Sequence, residues 1–494
     1  MLKLSKREIE QGYKGVKQLA QQAFADGDYE TSLKKVGECV VIAQQFNWIY
    51  ADDELEDLME SIGRKLVKKP SEEYRPIKGR VVFYDAFCKS FVLALQYVEA
   101  LVSAGKEVMY ITTANDLYKN RTGFADILEK LGVYPSVKIV VVPPGKKSER
   151  IRFFYDAVVG FCPEKILLHM VADAVAIPAL YVLPPTIKRY NINLADQTFW
   201  LGKKAIDYCL EFRQFGVSVS QQRRGIKPEQ QLLVPFYPID DGNPFEGFPE
   251  ECTADKVIVF SGGDIYKVLD KKRMYWKLVK RLLDTYPDMV FLFATKISKG
   301  VSHEVVDFIK DNGLEGRFIY INYRKDINEV FRHCDIYMGT CPASGSLMSQ
   351  LAAVNAKPIL QYYYPGTPDD ETEQAICYND KFPISFQDEE LFMEEARRLI
   401  TDVEYRRKQG ERLKNAMITQ EQFNKLVADT LSSNETQVAL EPFDIDYSIL
   451  DDRWFALEEL GYVDMLPYLW GILGKKYFRC KMPMAFVKKY LNCF

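Results

Sequence analysis

The sequence contains few histidines and no cysteine pattern typical of a metal site. Only three histidines occur in 494 residues, so few residues are available for a mechanism that needs a histidine base. The ten cysteines are scattered, without a Cys-x-x-Cys pair or metal-ligand spacing, which is typical of a reduced intracellular protein and predicts no metal. The formal net charge of −4 indicates no basic surplus and argues against a general nucleic-acid binder.

Long hydrophobic runs are also missing. The first residues lack the apolar core of a signal peptide, and the most apolar run, 91–102, is interrupted by Gln96 and Glu99. A cytoplasmic location is therefore expected. The composition, 47% hydrophobic and 27% charged, is that of an ordinary soluble globular protein. A chain of 494 residues exceeds one hydrophobic core, so two large domains with smaller appendages are expected.

The first part of the chain has apolar residues at helical spacing. Three amphipathic helices are predicted, at 7–25, 29–47 and 54–67. Together they predict a helical module over residues 1–70. The module resembles a tetratricopeptide-like helix pair, but a simple helical cap is an equally good interpretation, because one such unit is not a repeat array.

From residue 79 onward, short buried strands alternate with amphipathic helices, which predicts parallel sheets in doubly wound α/β domains. A first Rossmann-like domain is predicted at 79–238, a proline- and glycine-rich linker at 237–249, a second Rossmann-like domain at 255–433 and a helical extension at 434–494. The predicted strands are 80–84, 107–112, 138–142, 165–168, 208–212 and 232–235 in the first domain and 257–260, 289–294, 317–321, 335–339 and 358–361 in the second.

Two turns in the second domain carry residues suited to binding phosphate. The first contains Gly262 and Gly263 and is followed by Lys267, and the second places Ser344, Gly345 and Ser346 at the start of a predicted helix. Backbone N–H groups at a helix start and a nearby lysine both attract phosphate oxygens. Because open α/β sheets bind ligands at the carboxyl ends of strands, the two turns predict a diphosphate-linked ligand. The alternative is that the serines only cap the helix and that the lysine is solvated.

The same segments resemble those of GT-B glycosyltransferases. Residues 260–270, FSGGDIYKVLD, resemble the segment whose Tyr-Lys contacts the nucleotide diphosphate, and residues 335–346, DIYMGTCPASGS, resemble the segment that holds the donor phosphates. Residues 193–202, NLADQTFWLG, resemble a His-Ala-Asp-His-x-Phe-Trp-Leu-Gly element of bacterial sugar transferases. The similarity covers roughly residues 80–430 and includes the protein O-GlcNAc transferases and related bacterial enzymes.

This resemblance implies an α/β protein with two Rossmann-like domains that face a cleft. It also implies transfer of a sugar from a nucleotide sugar, expected to be UDP-linked, to a glycan or protein acceptor. Lysine and helix N-terminal amides would assist the departing diphosphate, so no metal and no cofactor beyond the donor substrate are expected. The donor-binding residues predicted in this way are Gly262, Gly263, Tyr266, Lys267, Ser344, Gly345 and Ser346.

The predicted catalytic base is Asp196, which is retained in the matching motif of the first domain. His169 and Asp173, which follow the strand at 165–168, are the second choices. Each has a structural alternative, because Asp196 fits a turn or a helix cap equally well and a lone histidine after a strand often serves packing.

The departures from the family pattern favour a second hypothesis. Leu347, Met348 and Leu351 stand where such transferases often carry two threonines and a ribose-binding aspartate, and Leu194 and Gln197 replace the motif histidines. The chain could therefore be a non-catalytic protein that binds a partner glycosyltransferase or its polypeptide substrate. A sugar-nucleotide epimerase is a third hypothesis, disfavoured because more charged and histidine residues are expected in its cleft.

The end of the chain interleaves basic residues with aromatic residues between 453 and 490. This pattern fits peripheral contact with an anionic membrane surface, and it also fits packing on a domain with the charges solvated.

Overall fold

The computed structural model describes residues 6–68, 73–87, 91–113, 124–240, 242–295, 301–363 and 371–448. The basic and aromatic segment at 453–490 lies outside these residues. None of the described helices is long and apolar enough to cross a membrane.

Three helices open the chain: α1 (Lys6–Ala25), α2 (Tyr29–Phe46) and α3 (Asp53–Leu66). The Asp28 side chain caps α2 by accepting from the Thr31 amide, and the Asp52 side chain caps α3 in the same way. Their apolar faces form one continuous core with one face of the first sheet. The helices are therefore packed directly on the first domain.

The first domain contains a seven-stranded parallel sheet in the order β3-β2-β1-β4-β5-β6-β7. Strand β5 was missed by the sequence analysis because it begins with Lys188 and Arg189 and has no continuous apolar run. The elements are β1 (Arg80–Asp85), α4 (Phe91–Ser103), β2 (Glu107–Thr113), α5 (Phe124–Gly132), β3 (Val137–Val142), α6 (Lys147–Phe161), β4 (Lys165–His169), α7 (Ala176–Leu180), β5 (Lys188–Ile192), β6 (Tyr208–Glu211), α8 (Gln214–Val219) and β7 (Gln231–Leu233).

The second domain contains a six-stranded parallel sheet in the order β10-β9-β8-β11-β12-β13. Its elements are β8 (Val257–Gly262), α9 (Met274–Thr285), β9 (Met289–Ala294), α10 (Val301–Asn312), β10 (Phe318–Ile321), α11 (Ile327–His333), β11 (Ile336–Met338), α12 (Ser346–Val354), β12 (Ile359–Tyr362), α13 (Glu371–Ile376), β13 (Ser385–Phe386), α14 (Glu389–Thr401) and α15 (Val403–Ala416).

The helix α16 (Gln420–Ser433) returns to the first domain and packs on α4. The ring centroids of Tyr97 on α4 and Phe423 on α16 are 5.3 Å apart, and Asn434, at the end of α16, is hydrogen-bonded to the Tyr190 hydroxyl. By its contacts this helix belongs to the first domain, although it lies in the sequence range predicted for the second.

In each sheet the strand order reverses beside the first strand. The reversal lies between β1 and β4 in the first domain and between β8 and β11 in the second. Ligands of open α/β sheets bind in the crevice outside the carboxyl ends of the strands at such a reversal. Chain segments that follow β6 and β12 touch across the domains, because Arg213 pairs with Glu371 at 2.8 Å and the Phe215 amide donates to Gln374 at 2.7 Å. The predicted architecture of two Rossmann-like domains that face a cleft is confirmed.

Candidate functional site

The two predicted phosphate turns lie side by side at the reversal between β8 and β11. The Lys267 ammonium lies 3.3 Å from the Ser344 carbonyl oxygen, and the Ala343 amide donates to the Lys267 carbonyl at 3.1 Å. A Cβ added to Gly345 would lie 3.7 Å from Lys267 Nζ. The structure therefore brings the lysine of one turn next to the helix start of the other, although 77 residues separate Lys267 from Ser344.

Helix α12 begins without a side-chain cap. Its N-cap residue is Gly345, which has no side chain to accept from the first amides, and Ser346 is the first helical residue. The buried hydroxyl of Ser344 has no hydrogen-bond partner within the described part of the chain. Unsatisfied N–H groups at a helix start, next to a lysine, form an environment suited to an anion.

The backbone of the first turn requires glycine at two positions. A Cβ on Gly262 would lie 2.7 Å from the Ala294 carbonyl oxygen, so only glycine allows β8 and β9 to approach this closely. Gly263 has φ of 146°, a conformation that L side chains rarely adopt, and its amide donates to the same carbonyl at 2.9 Å. Tyr266 and Lys267 occupy the short 3₁₀ turn Ile265–Val268 that follows.

At the reversal between β1 and β4, His169 forms a pair with Asp85. His169 ends β4 and is fully buried, and its Nδ1 lies 2.9 Å from Asp85 Oδ1. Asp85 also accepts from the Tyr110 hydroxyl at 2.7 Å and from the Phe87 amide at 2.9 Å. The other ring nitrogen, Nε2, is buried and has no hydrogen-bond partner among the described residues. A histidine oriented by a carboxylate, with its second nitrogen unpaired, has the arrangement of a general base.

The surroundings of Asp85 keep it ionised. Burial opposes its charge, but the attraction of His169 in its protonated form and the hydrogen bonds from His169, Tyr110 and the Phe87 amide outweigh burial and hold the pKa of Asp85 below its ordinary value. Asp85 was not among the residues predicted from the sequence. A sequence signal for Asp85 was available, because this acidic residue directly follows the apolar run of the first strand.

Asp173 caps a short helix. Its Oδ1 accepts from the Val175 amide at 2.8 Å and the Ala176 amide at 2.7 Å, which start α7. No described contact joins Asp173 to His169. Its catalytic role stays a prediction, and its observed contacts are those of an N-cap residue.

Asp196 is fully buried and paired with an arginine. Its Oδ2 accepts from Arg213 Nε at 2.6 Å and its Oδ1 accepts from Arg213 Nη2 at 2.9 Å. Arg213 then extends across the cleft to Glu371. Both Asp196 oxygens are therefore engaged, and the role of this residue as the acceptor base stays a prediction. Sequence reasoning missed Arg213 and Glu371, which lie 158 residues apart in the chain.

The motif around Asp196 also attaches the N-terminal helices. The Asn47 side chain donates to the Gln197 carbonyl at 2.7 Å and accepts from the Phe199 amide at 2.9 Å. The Glu56 carboxylate accepts from the Gly202 amide at 2.7 Å. Residues 193–202 thus form the junction between the helical module and the first sheet.

Comparison with known proteins identifies the fold. No family model and no curated protein sequence matches the chain. Among solved structures, Anabaena Alr3699/HepE in complex with UDP-glucose is 14% identical, with a TM-score of 0.51, over 72% of this chain and 99% of that chain. A Thermobaculum terrenum O-GlcNAc transferase mutant is 13% identical, with a TM-score of 0.50, over 86% of this chain and 81% of that chain.

A third similar structure is an S. aureus TarM mutant in complex with Fondaparinux, alpha-GlcNAc-glycerol and UDP. It is 8% identical, with a TM-score of 0.51, over 72% of this chain and 99% of that chain. At these identities the likeness concerns the fold alone. The two parallel sheets and these structural neighbours show that the chain has a GT-B fold of two Rossmann-like domains.

Proposed function

We propose that this protein is a glycosyltransferase that transfers a sugar from a nucleotide sugar, with UDP as the nucleotide, to a hydroxyl group of a glycan or protein acceptor. The observation that carries the proposal is the position of Lys267 beside Ser344 and Gly345 at the uncapped start of α12. The names of two structural neighbours support a UDP-linked donor, because one structure contains UDP-glucose and the other contains UDP.

The proposed donor site would act on the departing diphosphate. During transfer the bond between the anomeric carbon of the sugar and the diphosphate oxygen breaks, and its electron pair leaves with UDP. The Lys267 ammonium and the first N–H groups of α12 would stabilise the negative charge that develops there. These groups supply the positive potential without a divalent metal, so transfer is expected to continue in excess chelator.

We take His169 as the candidate base, and because its ring is fully buried, the site would have to open for an acceptor hydroxyl to reach it. In a direct displacement the acceptor oxygen attacks the anomeric carbon and its proton passes to the base. When Nδ1–H donates to Asp85, the neutral imidazole presents the lone pair of Nε2, which is the nitrogen without a described partner. Asp196 is the alternative base, although its carboxylate would first have to leave Arg213.

A second candidate function is a non-catalytic protein that binds a partner glycosyltransferase or its polypeptide substrate. The observation that favours it lies on α12, where Leu347 and Met348 pack into apolar clusters at positions where related transferases often contact the nucleotide. On this hypothesis the phosphate turns would persist as part of the fold without binding a donor.

Binding of UDP tests the donor site. A ligand present at a hundred times its Kd adds about 2.7 kcal/mol to the free energy of unfolding. Lys267→Ala should weaken UDP binding by about 10- to 100-fold, because it removes one charge-assisted contact. Lys277→Ala is the matched control, since Lys277 is exposed on α9 of the same domain. Calorimetric titration of the three proteins with UDP gives the comparison.

Turnover separates the two functions. The glycosyltransferase hypothesis predicts UDP release from a UDP-sugar by the wild type, at a rate unaffected by chelator. A wild type that binds no UDP and releases none from a panel of UDP-sugars, while it co-purifies with a second glycosyltransferase, would favour the non-catalytic function.

A further inference from the structure

A cavity of about 670 Å³ lies between the two domains. Its first-domain wall follows the ends of β6 and β7 and includes Phe212 and Leu233, and its second-domain wall is α13 with the segment 377–385. Both walls therefore lie near an edge of their sheets, at β6 and β7 in the first domain and at β12 and β13 in the second. This volume lies within the range of about 300–1,000 Å³ that small-ligand pockets occupy.

A segment beyond α16, residues 436–443, covers one side of the cavity and is bound to the first domain. The Gln214 side chain donates to the Ala439 carbonyl at 2.8 Å and accepts from the Glu441 amide at 2.8 Å. The Phe443 amide donates to Ser218 Oγ at 2.9 Å. This segment contacts the second domain through the exposed pair of Lys381 and Glu441, at 3.6 Å. A ligand in the cavity would thus touch both domains.

The lining indicates a neutral ligand with flat, weakly polar faces. Two cationic side chains, Arg213 and Lys381, are balanced by two carboxylates, Glu373 and Glu441. Glu373 is satisfied inside its own domain, because it accepts from the Ser385 amide and hydroxyl. Aromatic residues make up much of the remaining wall: Phe212, Tyr363, Tyr378, Phe382 and Phe443. Sugar rings present C–H faces that pack on aromatic rings and hydroxyls that reach a polar rim, whereas a diphosphate would find no net positive charge here.

The cavity adjoins the proposed donor site. A narrow crevice lined by Thr340 and Ser344 shares Tyr363 and Ser385 with the cavity wall. A ligand in the cavity would therefore lie next to the turn that carries Ser344, where we propose that the donor binds.

We propose that this cavity is the acceptor subsite and that it holds neutral sugar residues of a glycan, about the size of a disaccharide. This inference rests on the proposed function, because it assigns the acceptor of the same transfer. The segment 436–443 contributes to the subsite as part of its wall.

The test uses the full chain on a glycan array and a matched peptide array, in the presence of UDP. The wild type is expected to bind neutral glycans. Ala439→Trp, at an exposed residue of the cavity wall, should fill the cavity and reduce glycan binding at least 10-fold, and Tyr378→Ala should reduce it in the same direction. Ala254→Trp, at an exposed alanine in the turn before β8, is the matched control and should leave binding unchanged.

UDP affinity is measured in parallel and keeps the two proposals distinguishable. Loss of glycan binding with unchanged UDP affinity in both cavity variants supports the subsite. Glycan binding that survives both variants, binding of peptides alone, or no glycan binding by a wild type that binds UDP would each overturn it. A wild type that binds glycans but no UDP would instead contradict the proposed donor site.

Discussion

His169 is one of three histidines, and its surroundings determine which of its nitrogens can accept a proton. Asp85 fixes Nδ1, and the rings of Phe87 and Phe83 lie 5.1 and 6.2 Å from the imidazole, so the ring is held in one orientation. If His169 is the base, Asp85 is a positioning residue that acts through the histidine.

If His169 is the base, His169→Ala should lower the rate of UDP release to an acceptor by about 10²–10⁴-fold while UDP affinity stays unchanged. Asp85→Asn should lower the same rate less and should also change the pH profile, because the orienting charge is lost. His333→Ala, at a half-exposed histidine on α11, is the control. A His169→Ala enzyme that works at the wild-type rate would remove His169 from the mechanism.

Asp196→Asn distinguishes an ion-pair partner from a base. If Asp196 serves mainly to pair with Arg213, the variant should lose about 1–3 kcal/mol of stability in urea unfolding. The loss should be smaller in an Arg213→Ala background, where the partner is already missing. Unchanged stability together with a 10²-fold or greater loss of turnover would instead make Asp196 the base, as the sequence motif predicted.

At the scale of elements, α3 crosses α7 at a position where there is no space for a side chain. A Cβ on Gly63 would lie 2.0 Å from the Pro178 carbonyl oxygen, which is backbone and cannot move aside easily. This contact, together with the bonds of Glu56 and Asn47, attaches the helical module to the first domain.

Gly63→Ala should therefore reduce the free energy of unfolding by about 1–3 kcal/mol, the usual cost of overpacking. Gly37→Ala is the control on α2, where an added Cβ would meet nothing within 4 Å. That variant should be stabilised by about 0.5–1 kcal/mol because alanine is the better helix former. Equal effects of the two substitutions in urea unfolding would contradict a close crossing of α3 and α7 at Gly63.

For the whole molecule, the important contact is the bridge from Asp196 through Arg213 to Glu371. Arg213 is almost fully buried at the cleft, and its partners belong to different domains. Burial disfavours its charge, but the two carboxylates outweigh burial and raise the pKa of Arg213, so it stays charged at every accessible pH. Arg213 therefore brings its positive charge to the bridge at any working pH.

Glu371→Gln should weaken this bridge and leave the first domain intact. We expect a larger mean distance between dyes placed one on each domain, and a shift back toward the wild-type distance when UDP or an acceptor glycan is added. Glu390→Gln removes an exposed carboxylate that pairs with Arg281 inside the second domain, and it should leave the distance unchanged. Unchanged distances in Glu371→Gln would show that other contacts, such as that of Gln374, set the domain arrangement.

The sequence by itself predicted most of the strands and helices and the two turns that we propose to bind phosphate. Their signals are local, because buried parallel strands read as apolar runs and a glycine-serine turn before a helix can be read from neighbouring residues. Strand β5 was missed because it begins with the charged residues Lys188 and Arg189 and so lacks an apolar run. Strand β13 was missed because its two residues are too few to show a periodicity.

Tertiary structure alone decided which polar residues meet. His169 lies 84 residues from Asp85 and Arg213 lies 158 residues from Glu371, so no local pattern could pair them. The strand order brings β1 next to β4, and the packing of the domains brings the chain after β6 to that after β12. The same packing closes the cavity between the domains, because its walls come from segments that share no sequence signal and meet only when both sheets are assembled.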